Sequence, residues 1–532
     1  MPGYSIDFDS IRKRYCKAVD SFSPGQIVLS EDAYEAVVHN DHCSVYCHQT
    51  FRSSGNLLRC GGCKFARYAG VKEQRSAWKN GHQEECAALC ACAPRVPPAT
   101  IRLAARIYWK QQRLTLGDNA LPECIQTLEH HWDDLDDERK QSFAQMAIVT
   151  REYMKGAGSS NVPDAKYVAY LLARFACNNH TICDDELRPI GVGLYPQGAM
   201  INHSCTPNTM QSFCGARIVF RAVQRIPAGA EATIAYIELA ATRAERRAAL
   251  KDNYFFDIDA GQMASCNIFP YEEPLSPAPE EMTLDNTLIL ELSRVPFTVM
   301  DEHDRDLTNV SNAPGSGANA LRLQVEKHAP FVEPENEETD SGASQGSADA
   351  PDWRVKVQCW GPTFWQGDSV SSANTPKAKA VAGMLAGAVR SHTLAIELLS
   401  QGRAAEACRI STRALQTLCR DMQNHIWRMR LLEVQLRAAI ECGSQWEVAL
   451  EAARALLKLY RWLYPKIWPN MGLHLATLAK IAALLEQDDD AARHAEAACA
   501  ILQFTHPESP ILQEMLRLWH DAKASLSAIS DE

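Results

Sequence analysis

Apolar residues step by three and four along LAARIYWKQQ (103–112), FAQMAIVTREYM (143–154) and KYVAYLLARFA (166–176). That spacing puts one apolar stripe on a helix and predicts a helical region from Ala99 to about Ala176. The pattern changes on either side. SFSPGQIVLS (21–30) sets a Pro-Gly turn before a β-favouring run, and residues 1–40 read as short strands and turns. RIVFRAVQ (217–224) and EATIAYIEL (231–239) flank the turn RIPAGAE, so short strands return from Leu194 to Tyr236. From about Lys377 to Leu526 the chain is helical again. AAEACRISTRAL (404–415), EVALEAARALLKL (447–459) and DAARHAEAACAIL (490–502) resemble one another, with Ala407, Ala449 and Ala492 at steps of 42 and 43 residues. Small residues at a fixed place in repeated helices predict stacked helical hairpins; an irregular Ala-rich bundle is the alternative.

Residues 267–375 break both patterns and read as an insertion. Its stretch EPENEETDSGASQGSADAPD (333–352) carries seven acidic residues and no basic one, the composition of a solvated tether. DWRVKVQCWGPTFWQG follows with three tryptophans, either a small ordered piece or a docking peptide.

With 532 residues there is room for three or four domains, and an apolar share of 46% with 22% charged is that of a globular protein. The net charge of -11 argues against a general nucleic-acid surface. MPGYSIDFDSIRKRYCKAV has no apolar stretch of signal-peptide length, and no run approaches the roughly 18 apolar residues of a membrane span. The 19 cysteines are scattered and odd in number, and are expected to be thiols and metal ligands in a reducing compartment, the cytoplasm or the nucleus.

Many of those cysteines lie in CSVYCHQTFRSSGNLLRCGGCKFARYAGVKEQRSAWKNGHQEEC, residues 43–86. Cys60-Gly-Gly-Cys63 is a metal knuckle, whose glycines let the chain turn tightly so both sulfurs face one ion. His82 and Cys86 at i, i+4 share a helix face. Together they offer a Cys₃His tetrahedron for zinc; free thiols at chance spacing are the alternative.

GVGLYPQGAMINHSCTPN (191–208) sets Asn202, His203, Ser204 and Cys205 directly after an apolar run. Such groups cost free energy if buried without partners, so the stretch is either a turn bonded to its own backbone or a working site.

The cysteine stretch, with Trp78, His82 and Cys86 in W…H-x-x-x-C, resembles the MYND zinc finger. NHSCTPN followed by RAVQRIPAGAEATIAY resembles the core of the SET domain. PRVPPATIRLAARI, CNNHTICDD, RAERRAALKDNYFF and YPKIWPNMGLHLATLAK extend the likeness to most of the chain outside 267–375. The chain is identified as a divergent member of the SET-and-MYND (SMYD) protein-lysine methyltransferase family. That resemblance implies an α+β fold: a SET β-fold interrupted by the finger and a helical insert, then an all-α TPR-like domain. The implied boundaries are 1–42 for the first part of SET, 43–86 for the finger and 87–185 for the helical insert. They continue with 186–266 for the SET core and post-SET-like segment, 267–375 for the insertion and 376–527 for the helical domain.

The resemblance also implies an S-adenosylmethionine-dependent lysine N-methyltransferase acting on histone or non-histone proteins. Arg12, Asn178, Asn202, His203, Tyr236 and Phe256 would contact the cofactor, Tyr236 would be the catalytic tyrosine, and Tyr254 would line the lysine channel. Aromatic walls and a desolvated channel suit a lysine that must be neutral to attack and a methylammonium product. The finger would take zinc and dock a proline-rich peptide. A monomer is expected, with no membrane partner.

Three departures stand out. The family's third finger pair falls on Ala69 and Glu73, and its first is altered to Cys43-x-x-x-Cys47, which would need His42 or His48 to complete a metal site. A Gly-x-Gly near the N-terminus is replaced by Lys13, Arg14 and Tyr15, whose side chains would crowd the cofactor pocket. Three post-SET cysteines, which with Cys205 would hold a further zinc, are replaced by Ile258, Ala260 and Met263, with Cys266 nearby. These losses keep open an alternative: a catalytically inactive scaffold that binds partners through the finger and helical repeats.

Overall fold

The computed structural model describes residues 3–10, 12–114, 123–159, 161–241, 243–256, 326–327, 353–354, 376–418 and 426–530. Nearly all of the 267–375 insertion, and Ile258, Ala260, Met263 and Cys266, lie outside the described residues.

Strands β1 (Tyr4–Asp9) and β2 (Lys13–Ala18) pair antiparallel, with Asp9 opposite Lys13 at the bend. β3 (Ile27–Asp32) and β4 (Glu35–Val38) follow. β5 (Leu58–Arg59) and β6 (Arg67–Tyr68) clasp the Cys60–Cys63 knuckle between them. Helix α1 (Val71–Ala77) passes through a π-type turn, Trp78–His82, into α2 (Gln83–Cys92). Gly81 at φ 108° makes that turn, and a Cβ there would meet the Arg113 guanidinium at 2.8 Å.

The predicted helical region divides into α3 (Ala99–Leu114), the short α4 (Glu123–Gln126), α5 (Asp137–Gly156) and α6 (Ala165–Asn178). Asp136 and Asp164 cap α5 and α6, each carboxylate accepting a backbone N–H at 2.7 Å. The insert ends sooner than the sequence reading placed it. β7 (Asn179–Cys183) lies inside the span 87–185 yet pairs with β8 (Pro189–Leu194), in a sheet of order β4–β8–β7. Its side chains alternate rather than follow a helical stripe, which is why the break falls at Asn178.

β9 (Asn202–His203), β10 (Thr209–Cys214), β11 (Arg217–Ala222) and β12 (Thr233–Ile234) complete the SET region. β10, β11 and β3 form one antiparallel sheet, and β9 pairs with β12 in parallel. The strand expected over EATIAYIEL is therefore only two residues long, because β9 offers only two residues to pair with. Buried Cys16, Leu29, Ile182, Tyr195, Ile218 and Phe220 share the core these sheets enclose. Burying each large side chain there stabilises the fold by roughly 1.5–3 kcal/mol.

Helix α7 (Arg243–Tyr254) follows the SET region. Among the described residues the C-terminal region holds seven helices: α8 (Pro376–Ser400), α9 (Ala404–Thr417), α10 (Ile426–Cys442), α11 (Trp446–Leu463), α12 (Pro469–Leu484), α13 (Asp488–Thr505) and α14 (Pro510–Ser530). Each packs on its neighbour in the chain. The repeated Ala407, Ala449 and Ala492 all sit buried in α9, α11 and α13, so the repeat marks where helices approach closely. This region grips the SET region: Leu239 belongs to its core, Arg430 pairs with Glu245 at 2.9 Å, and the Tyr464 hydroxyl donates to Glu238 at 3.2 Å.

Candidate active site and metal centre

Cys60, Cys63, His82 and Cys86 converge, their ligand atoms all within 4.8 Å of one another. Cys60 Sγ lies 3.7 Å from Cys86 Sγ and 3.4 Å from His82 Nε2, and Cys63 Sγ lies 3.8 Å from His82 Nε2. A tetrahedral zinc with bonds of about 2.3 Å has edges of about 3.8 Å, so these four fit that ion. Gly62 is there for space rather than for a special turn: a Cβ on it would lie 2.9 Å from Cys86 Sγ, while the positive φ falls on Lys64. Burial alone would raise the Cys60 thiol. The His82 ring and the backbone N–H groups of Cys63 and Gly62 outweigh it and bring the thiol to about 7.

Behind His82 stands Glu85, buried, 3.4 Å from Nδ1 and held by Arg102 at 3.3 Å and Arg106 at 3.0 Å. This carboxylate orients a would-be ligand and ties the finger to α3. Cys43 and Cys47 are not brought into such a cluster among the described residues. Cys47 Sγ instead accepts the Ala69 N–H at 3.3 Å, and His48 Nδ1 accepts the Arg67 N–H at 3.1 Å.

The NHSC stretch is where the chain crosses itself. Ser204 N–H donates to Ile234 O at 2.8 Å, and Asn208 Nδ2 donates to Glu231 O at 2.7 Å while its Oδ1 accepts the Thr233 N–H at 2.8 Å. Asn202 Nδ2 reaches Arg12 O and Arg14 O at 3.2 Å each and Glu231 Oε1 at 2.9 Å. His203 Nδ1 accepts the Tyr236 N–H at 3.0 Å, which leaves the proton on Nε2, 3.4 Å from Cys205 Sγ. The polar run is thus partnered both by another segment and by its own turn, where the Ser204 hydroxyl accepts the Thr206 N–H at 3.0 Å. Burial lowers the His203 pKa to about 3, with Arg246 adding to the effect, so the ring is neutral and both nitrogens are engaged.

That crossing gathers the aromatic residues. Tyr236 packs 4.7 Å from Tyr254 and 5.5 Å from His203, and Phe256 lies 6.2 Å from His203. The Tyr236 hydroxyl donates to Ile201 O at 2.8 Å, and burial raises its pKa well above the usual value, so it stays protonated. Between Tyr254 and Phe256, Phe255 takes φ 62° and stacks on His131 at 4.9 Å. Its neighbours are thereby left to face His203 and Tyr236. Asn178 ends α6 beside them, its amide donating to Glu129 O at 2.8 Å, and lines a cavity of about 110 Å³ with Tyr236 and Tyr254.

The substituted N-terminal positions are occupied otherwise. Arg12 pairs with Asp9 at 2.6 Å and Glu231 at 3.7 Å and lies 3.8 Å over the Tyr15 ring. Arg14 reaches Glu129 at 3.9 Å, and Lys13 holds φ 59°, a left-handed conformation that favours glycine. None of these three substituted residues lines the cavity beside Tyr236. Cys205, the expected partner of a further zinc, packs on Leu250. The sequence reading missed Glu231, which joins Asn202 to Arg12, and the His131–Phe255 stack. The only sequence signal for Glu231 was a lone carboxylate opening the run before Tyr236.

A SET domain model matches residues 18–237. Histone-lysine N-methyltransferase SMYD3 of Mus musculus is 33% identical over 245 residues, 46% of this chain and 57% of that protein. Histone-lysine N-methyltransferase ASHR1 of Arabidopsis thaliana is 34% identical over 259 residues, 47% and 52% of the two chains. N-lysine methyltransferase SMYD2-B of Xenopus laevis is 34% identical over 264 residues, 48% and 60%. The chain spans between half and three-fifths of the length of these relatives. With a SET domain matched over residues 18–237 and its motif residues gathered at one crossing, the chain carries a SET domain and is similar over that part to SMYD-named lysine methyltransferases.

Proposed function

We propose that the chain is a protein-lysine N-methyltransferase that uses S-adenosylmethionine. The observation that carries this reading is the crossing of the Asn202–Cys205 segment with the run before Tyr236, which packs His203, Tyr236, Tyr254 and Phe256 together and sets Tyr236 and Tyr254 against a cavity. The names of the relatives agree with it. The buried Asn179 Oδ1, which has no hydrogen-bond partner, and the cavity it lines beside Tyr236 are consistent with a site that takes a polar ligand. Arg12, Asn178, Asn202, His203, Tyr236 and Phe256 would hold the cofactor, and when bound it would supply an electrophilic methyl on a sulfonium.

The chain's own residues do the rest. Tyr236 and Tyr254 wall off water, so an entering lysine amine is favoured in its neutral form and its proton leaves to solvent before transfer. The Tyr236 hydroxyl, protonated throughout, offers a fixed dipole at the reacting end. His203 is no base here, because both ring nitrogens are engaged; it orients the Tyr236 backbone.

Zinc would sit on Cys60, Cys63, His82 and Cys86 of a MYND-type finger and shape the fold rather than the reaction, in about one ion per chain. The helical region is read as TPR-like, the protein substrate as histone or non-histone, a proline-rich peptide as a finger ligand, and the compartment as cytoplasm or nucleus. The test is thermal stabilisation of the full chain by S-adenosylmethionine, rising with concentration. Absence of a shift at millimolar cofactor would favour the second reading, an inactive scaffold. That reading draws on the Lys13–Tyr15 replacements and on the Arg14–Glu129 pair.

A further inference from the structure

We propose that the cavity beside Tyr236 selects amines that still carry N–H groups, through Asn179, His180 and Gln211. This rests on the methyltransferase reading and deepens it to the methylation state the site accepts.

The cavity of about 110 Å³ has two unlike walls. One water needs only about 10–15 Å³ measured this way, so the space suits an amine with its last methylene groups. One wall is aromatic, Tyr236 and Tyr254. The other is polar: Asn179, His180 and Gln211 all line it. Asn179 Oδ1 is buried with no hydrogen-bond partner. His180 is wedged edge-on between Tyr195 at 5.7 Å and Phe220 at 5.8 Å, and its Nδ1 lies 2.9 Å from Gln211 Oε1. Burial lowers the His180 pKa against hydrogen bonds to Gln211 and the Gly198 backbone, so the ring is neutral, and its Nδ1–H tautomer donates to Gln211 Oε1. That bond fixes the Gln211 amide and leaves its oxygen a second lone pair.

Gln211 also stands at a boundary. With Ile234 and Ala235 it lines a second cavity, of about 160 Å³, which reaches Trp468 and His506 of the helical region and the carboxylates of Asp184, Asp185 and Glu238. Gln211 is the polar side chain among the three residues that line both cavities.

The two walls make opposite demands. Aromatic faces attract a methylated ammonium about as well as a bare one. Acceptors on the polar wall need N–H donors, and each methyl added removes one. A trimethylammonium has none, so Asn179 Oδ1 would stay unpaired and Gln211 would lose its second bond. The polar wall therefore decides the order.

The experiment titrates the full chain with n-butylammonium, N-methylbutylammonium, N,N-dimethylbutylammonium and butyltrimethylammonium, followed by ligand-observed NMR. The trimethyl form should bind about tenfold more weakly than n-butylammonium. Gln211→Leu should bring the series within about twofold. Asn179→Ala, a smaller change at a strand end, should reduce the preference to about threefold. Equal binding of all four forms, binding of none, or a tenfold preference surviving in Gln211→Leu would overturn the proposal. A chain that sorts the amines without a cofactor shift would sink the methyltransferase reading alone. A chain that shifts with cofactor but does not sort the amines would sink only this selectivity.

Discussion

His203, Tyr236, Tyr254 and Phe256 pack into one wall at the crossing, and the Arg12–Tyr15 bend of the first hairpin forms an edge joined to it through Asn202. The first wall keeps every residue the family resemblance asks for. The edge keeps Arg12 and has exchanged a glycine pair for Lys13 and Tyr15. The difference follows from how each is held. The wall hangs on a crossing in which backbone N–H groups of Ser204, Thr233 and Tyr236 all find partners on the other segment. A change there strands several buried polar groups at once, at about 1–3 kcal/mol each. The edge is a two-stranded hairpin with one side in solvent, where Arg14 finds Glu129 and the retained Arg12 keeps pairs with Asp9 and Glu231. A site can thus keep its reacting side while its rim is rebuilt.

The sharpest test removes one oxygen from the wall. Tyr236→Phe should keep the cofactor-induced thermal shift and lose methyl transfer by about 10²–10³-fold, the effect of deleting one fixed dipole at a reacting centre. Radiolabelled methyl transfer reads it, and equal activity would take Tyr236 out of its assigned role.

Asn202→Ala breaks the joint between the two sides. It deletes the bonds to Arg12 O, Arg14 O and Glu231, and should cost about 2–3 kcal/mol in chemical unfolding along with most of the cofactor shift. An unchanged unfolding midpoint would mean that wall and edge are independent.

Lys13→Gly tests the edge alone. A non-glycine residue at φ 59° carries strain of about 1 kcal/mol, which glycine removes while loosening the unfolded chain. The variant should change stability by less than about 1 kcal/mol and raise cofactor affinity several-fold, measured by titration. Weaker cofactor binding would show that the Lys13 side chain has become part of the site.

Much of this was readable from the chain. The convergence of Cys60, Cys63, His82 and Cys86 follows from knuckle and helix spacing, because a tetrahedral site would constrain spacing tightly. The helical repeat at Ala407, Ala449 and Ala492 follows from periodicity. The crossing itself was not readable from local pattern. Asn202 and Thr233 are distant in sequence, and no local rule pairs a two-residue parallel strand. Glu231, Gln211 and His180 act only through partners that the crossing brings near, so nothing adjacent to them marks their place. The short β12 was overread as a longer strand for the same reason: the run has strand-forming residues, but Glu231 and Ala232 turn to β2 while only Thr233 and Ile234 pair with β9.

The two sides also differ in how they titrate. Burial holds His203 neutral with its pKa at about 3, below the ordinary histidine value near 6.5. Its contribution to stability is complete above that value and is lost as pH falls towards 3. Glu231, on the Arg12 side, has its carboxyl raised by burial against the opposing pull of Asn202 and Arg12. Its contribution is present below the unfolded carboxyl value of about 4.5 and is lost as pH rises through the folded one. Between about pH 4.5 and 6.5 the two therefore act in opposite directions, with the larger His203 shift dominating. Glu231→Gln keeps an acceptor for Asn202 and removes the carboxyl titration. The stability of this variant relative to wild type should rise as pH increases above about 4.5, measured by chemical unfolding from about pH 4.5 to 6.5. A difference that stayed flat would show that Glu231 titrates alike in the folded and unfolded chain, and that the edge carries no buried charge for the wall to balance.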